Sequence, residues 1–77
     1  MNELTPLTFG GWLKIRRRAL DVTQKQLAQR VECAEITIRK IEANQLRPSK
    51  QLARDLLGKL NVPRQEQEPL VQLARRR

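Results

Sequence analysis

The sequence predicts an all-α fold, five short helices packed as one bundle. Three observations carry this prediction. Apolar residues recur at three- and four-residue spacing from Phe9 to Ala74. Capping residues stand just ahead of several of these stretches. No Asn-Gly or Asp-Gly turn and no sustained period-two alternation marks a strand. A chain of 77 residues holds one core, so residues 8–77 read as a single domain behind a short N-terminal extension, 1–7.

Thr8 can cap a first helix over about 9–20, on which Phe9, Leu13 and Leu20 share a face with Arg17 beside them. Asp21-Val22 forms the connection. Thr23 then opens a capping box, its hydroxyl bonding the Gln26 amide while the Gln26 side chain reaches back. The second helix, about 24–31, buries Leu27, Ala28 and Val31. Glu32-Cys33-Ala34 separates it from a third, about 35–43, whose apolar face is Ile38 and Ile41. A loop, Asn44 to Pro48, leads to Ser49, a good cap for a fourth helix reaching about residue 60. That helix buries Leu52, Ala53, Leu56, Leu57 and Leu60, and Gly58 within it weakens it by about 1 kcal/mol. Asn61 is a left-handed stop, and Val62-Pro63 turns the chain. Because proline suits the first helical position, the last helix is expected to begin near Glu68–Pro69 and bury Leu70, Leu73 and Ala74. A separate helical turn over 63–67 is expected ahead of it.

Sixteen Lys and Arg against eight Asp and Glu leave a net charge of +8. The excess is spread along the chain: seven basic and four acidic residues in 1–39, five and two in 40–63, four and two in 64–77. Such a field attracts polyanions: DNA, RNA or an acidic membrane surface. With no histidine and one cysteine, Cys33, the chain lacks Cys/His metal sites, disulfides and imidazole chemistry. Glu32 with Glu35 is the one carboxylate pair worth naming, and no nucleophile accompanies it. No enzymatic activity, cofactor, metal or small-molecule substrate is therefore expected. No apolar run long enough for a signal peptide or a membrane span is present, which predicts a cytoplasmic chain with no membrane partner. The basic end Arg75-Arg76-Arg77 suits a linker to a further C-terminal domain.

The stretch from Thr23 to Glu42 carries the functional signal. Two helices joined by three residues must cross steeply, and Ala28 supplies the small residue that lets them approach. Leu27, Val31 and Cys33 would pack against Ile38 and Ile41. This is the packing of a helix-turn-helix at about 24–43, and equally of an αα-corner in any helical bundle. The run TQKQLAQRVECAEITIRKIEANQLRPS resembles the helix-turn-helix of the phage-repressor/Cro-like (XRE) family of bacterial regulators. The likeness extends over about residues 8–62. It includes Thr23-Gln24, Leu27-Ala28, Val31, the Thr-Ile-x-x-Ile-Glu run of Thr37 to Glu42, and the later Arg-Pro-Ser.

The resemblance implies a five-helix, phage-repressor-like bundle whose third helix enters the DNA major groove. It places Gln24, Glu35, Ile36, Thr37, Arg39 and Lys40 on the base-facing surface. Thr23, Lys25, Asn44, Gln45, Arg47, Ser49 and Lys50 fall on the phosphate-facing surface. Arg17 and Glu42 match a buried ion pair linking the first and third helices. Double-stranded DNA is thus the implied partner, read as a homodimer or as the N-terminal part of a larger regulator. Trp12 with Ile15, or Leu70 with Leu73, are candidate dimer surfaces.

The side chains suit these roles chemically. Lys40 can donate to guanine O6 and N7, and Ile36 can pack on thymine methyls. Gln24, Asn44, Arg47 and Lys50 can bond phosphate oxygens, which fixes register without reading sequence. The same residues also suit blander roles: Arg39 and Lys40 as a solvated face, Arg47 and Lys50 as surface charges, and Ile36 as a contact for a protein partner. A protein-interaction or autoregulatory module, antitoxin-like or part of a signalling protein, is the alternative function. Three residues depart from the family pattern. Glu32 stands where glycine and positive φ are usual, which costs about 1 kcal/mol. Ala34 replaces a capping Ser or Thr, at about 0.5–2 kcal/mol. Glu35 puts a carboxylate at the leading base-facing position, where it can accept from cytosine N4 and also repels phosphate.

Overall fold

The computed structural model describes residues 8–76; the N-terminal extension 1–7 and Arg77 lie outside the described residues. Five helices follow in order: α1 (Phe9–Ala19), α2 (Gln24–Arg30), α3 (Glu35–Glu42), α4 (Lys50–Lys59) and α5 (Arg64–Arg75). No strand occurs among the described residues. α2 packs on α3, α4 packs on α5, and α1 lies against both α3 and α5.

Local sequence explains how most helices start. The Thr8 hydroxyl accepts from the Gly11 amide at 3.0 Å, and the Ser49 hydroxyl accepts from Leu52 at 3.1 Å. At α2 the full capping box forms: Thr23 Oγ1 accepts from the Gln26 amide at 3.0 Å, while the Thr23 amide donates to Gln26 Oε1 at 2.9 Å. α3 starts on Ala34, with no side-chain cap.

The first four helices all stop by the same device. Asp21, Glu32, Asn44 and Asn61 lie in the left-handed region, with φ of 60°, 59°, 60° and 61°. In each case the following amide reaches back to the carbonyl five residues earlier: Val22 to Arg17, Cys33 to Ala28, Gln45 to Lys40 and Val62 to Leu57, at 2.8–3.0 Å. These are Schellman closures, built without glycine. Asn and Asp tolerate this backbone region because their short side chains bond locally; glutamate has no such advantage.

The last helix corrects an expectation. α5 does not begin at Glu68–Pro69 behind a separate turn: it runs unbroken from Arg64, with Pro69 in its interior. Pro69 removes one intrahelical bond, the one Gln65 would accept, a local cost of about 3 kcal/mol. Both residues are exposed, so water can bond the freed carbonyl. Tertiary packing outweighs the remainder, since Val71 and Ala74 are buried in the core. Gln67 also closes the entry, donating from its side chain to the Val62 carbonyl at 3.1 Å. The buried face differs too: Val71 and Ala74 form its centre, and Leu70 and Leu73, expected at the centre, pack only partly buried on its shoulders.

Leu13, Leu27, Ile38, Ile41, Ala53, Leu56, Leu57 and Leu60 are essentially inaccessible and form the centre of the molecule. Phe9 stacks on Trp12 with ring centroids 5.7 Å apart. At Gly10 the backbone of α1 meets the end of α3. A Cβ there would lie 2.7 Å from the Glu42 carbonyl and 2.6 Å from Asn44 Oδ1, and closer still to the Ile41 carbonyl. Only glycine lets α1 sit this close, and this contact sets the height at which α3 stands on the bundle.

Candidate nucleic-acid interface

α3 is fixed from behind. Ile38 and Ile41 are buried, and the helical step of about 100° per residue turns Ile36, Arg39 and Lys40 to the opposite side. All three are exposed, Ile36 at 48%. Glu35 and Thr37 are half-buried and lie on the two flanks of that ridge. The Glu35 carboxylate pairs with Arg39 one turn on, at 3.4 Å. An exposed pair of this kind contributes little to stability but sets where the Arg39 guanidinium rests.

The ridge is anchored by a polar cluster under α1 and α2. Arg17 meets Glu42 through two hydrogen bonds, Nε to Oε2 at 2.7 Å and Nη2 to Oε1 at 3.1 Å. The pair is nearly closed to solvent, with side-chain exposures of 9% and 4%. Arg17 Nη1 also donates to the Val22 carbonyl at 2.8 Å, tying the ion pair to the α1–α2 turn. Gln24 joins the cluster, donating from Nε2 to Glu42 Oε1 at 3.0 Å. Its amide is therefore partly committed inside the protein, with its carbonyl oxygen facing no described donor. No buried side-chain nitrogen or oxygen among the described residues is left unpartnered.

The residues expected on the phosphate side fall in two groups beside α3. Thr23, Gln24 and Lys25 line a shallow depression with Arg18 and Glu35, at the start of α2. Asn44, Gln45 and Arg47 border a cleft of about 390 Å³ with Thr8, Leu73 and Arg76. Ser49 and Lys50, both exposed, follow directly at the start of α4. The Thr23 and Ser49 hydroxyls accept from backbone as caps, which leaves each hydroxyl proton to donate outward. Arg47 donates from Nη1 to the Arg75 carbonyl at 3.0 Å.

Arg18 was not among the sequence candidates, yet it stands with Lys25 in the first group. Consecutive arginines at residues 16–18 step around the helix and do three jobs. Arg16 donates to the Leu60 and Asn61 carbonyls at 3.0 and 3.1 Å, capping the end of α4. Arg17 enters the buried pair, and Arg18 stays exposed. Helical phase alone separates their directions, so Arg18 was within reach of sequence reasoning. Cys33 sits half-buried in the α2–α3 turn, where desolvation raises its thiol pKa.

Two short helices, α2 and α3, packed together and joined by four residues, the second presenting an exposed ridge, define a helix-turn-helix domain. A family model described as Helix-turn-helix matches residues 13–67, and the chain belongs to that family, of the Cro/C1 (XRE) type. No curated protein and no solved structure matches the chain. Family membership makes this a domain of the DNA-binding regulator class, not a typically enzymatic one. Among the described residues, no group of His, Cys, Asp and Glu could hold a metal ion, and no helix is long and apolar enough to cross a membrane.

Proposed function

We propose that the chain binds double-stranded DNA sequence-specifically, with α3 in the major groove, as the DNA-reading part of a bacterial-type transcriptional regulator. The observation that carries this reading is the exposed edge of α3. Ile36, Arg39 and Lys40 project from a helix whose other side is locked by Ile38, Ile41 and the Arg17–Glu42 pair. Lys40 donates to guanine, Ile36 packs on thymine methyls, and Glu35 accepts from cytosine N4 or steers Arg39. Thr37 lies at the groove wall, and Gln24 approaches the nearest base and its phosphate. Thr23, Lys25, Asn44, Gln45, Arg47, Ser49 and Lys50 grip the backbone on either side. The domain acts by binding and makes or breaks no bond.

One such domain covers few base pairs, so useful specificity calls for two half-sites read by a homodimer or by linked domains. The cytoplasm is the place of action. Selection of bound sites from random duplex DNA, followed by a salt titration on the winners, tests the proposal. With four to six phosphates contacted, log K against log[salt] falls with a slope of about −4 to −5. A slope near zero, or no enrichment at low salt, removes DNA from the account.

A second reading, a protein-interaction module, is favoured by one observation: Ile36 is a large apolar side chain half open to solvent beside a carboxylate. A module that uses the Leu70/Leu73 surface keeps its partner in Lys40→Glu, whereas a DNA reader loses its site while staying folded.

A further inference from the structure

The loop between α3 and α4 is tied to the far end of the chain by two reciprocal hydrogen bonds. Arg47 Nη1 donates to the Arg75 carbonyl at 3.0 Å, and Arg75 Nη1 donates to the Pro48 carbonyl at 2.8 Å. Each arginine thus holds the other's segment of backbone. The family match ends at residue 67, so Arg75 lies outside the part of the chain that the family pattern describes. The negative end of the α5 dipole favours a guanidinium at this carbonyl. Pro48 is buried, and Ser49 immediately after it caps α4, so the clasp fixes the loop just before the α4 N-terminus.

We infer that Arg75 is a positioning residue for DNA binding: it acts through the 44–48 loop and Arg47, without touching DNA. The inference rests on the proposed contact between that loop and phosphate. Among the described residues, Arg47 uses one of its five N–H donors, and the other four remain for a phosphate. Held at the Arg75 carbonyl, the guanidinium is already oriented when DNA arrives, which removes part of the ordering entropy that a free arginine side chain must lose. Arg75 holds the same loop from the opposite direction. The end of α5 and the phosphate-facing loop are therefore mechanically one unit.

The test compares Arg75→Gln with Arg75→Ala in the full chain, on duplex DNA selected by the wild type. Glutamine loses the charge and its amide ends two bonds short of Nη1, so neither variant keeps the bond to the Pro48 carbonyl. A positioning role predicts that both weaken binding about three- to tenfold. It also predicts that Arg75→Ala has little further effect in an Arg47→Ala background. The salt slope of Arg75→Ala should match wild type, whereas Arg47→Ala lowers it by about one. Thermal unfolding of both Arg75 variants should stay near wild type, because residue 75 is exposed in the last helical turn.

A salt slope lowered by about one in both Arg75 variants would show Arg75 to be a direct charge contact and overturn the inference. Wild-type affinity in Arg75→Ala overturns it as well, while leaving the DNA reading intact. A wild-type chain that binds no duplex removes the DNA reading, and this inference falls with it.

Discussion

The α1–α2 and α2–α3 junctions follow one backbone path with different chemistry. Each ends its helix on a left-handed residue, Asp21 at φ 60° and Glu32 at φ 59°, and each closes with a return bond of 2.9–3.0 Å. At the first junction the next helix is sealed by the Thr23–Gln26 capping box, and Arg17 pins the turn through the Val22 carbonyl. At the second, the left-handed position holds a glutamate, and α3 begins on Ala34 with no side-chain cap. The fold dictates the turn geometry, and residue choice decides how firmly each turn is held. Stabilising groups are concentrated at the first junction, and the junction that leads into the ridge is the weaker of the two.

The largest expected effect comes from breaking the better-held junction. Arg17→Met leaves the Glu42 carboxylate buried with Gln24 as its remaining partner, and chemical denaturation should register a loss of about 3–5 kcal/mol. Replacing both ends, Arg17→Met with Glu42→Leu, should recover most of that loss, because the penalty belongs to the orphaned charge. A double variant as unstable as the single one would assign the effect to the Val22 contact instead.

Exchanging the caps sharpens the comparison. Thr23→Ala should cost about 0.5–2 kcal/mol, and Ala34→Ser should return a similar amount, both read as shifts in the denaturation midpoint. Should Ala34→Ser bring no gain, α3 is already capped in some other way and the contrast between the junctions is smaller than described. The smallest effect lies at the left-handed positions. Glu32→Gly should gain about 1 kcal/mol, and Asp21→Gly less, since aspartate tolerates that backbone region better than glutamate.

Features that depend on a few neighbouring residues were legible in the sequence. Thr8, Thr23 and Ser49 cap the helices expected of them because a hydroxyl and an amide three residues on are enough. The exposure of Ile36, Arg39 and Lys40 follows from their phase opposite Ile38 and Ile41. Features set by distant contacts were hidden. Pro69 signals a helix start locally, and burial of Val71 and Ala74 overrides it. The need for glycine at position 10 is set by the end of α3, which lies more than thirty residues along the chain. The same holds for the side chains of the interface. That Gln24 is shared with Glu42, and Arg47 with the Arg75 carbonyl, depends on where other helices bring their polar atoms.

Lys40→Glu supplies the most direct measurement, made by titrating wild type and variant against the same selected duplex at one stated salt concentration, with thermal unfolding recorded in parallel. Lys40 is exposed on the ridge, so the variant should unfold near the wild-type temperature and lose at least about tenfold in affinity. A folded Lys40→Glu protein that holds the duplex as tightly as wild type would show that α3 does not face the DNA.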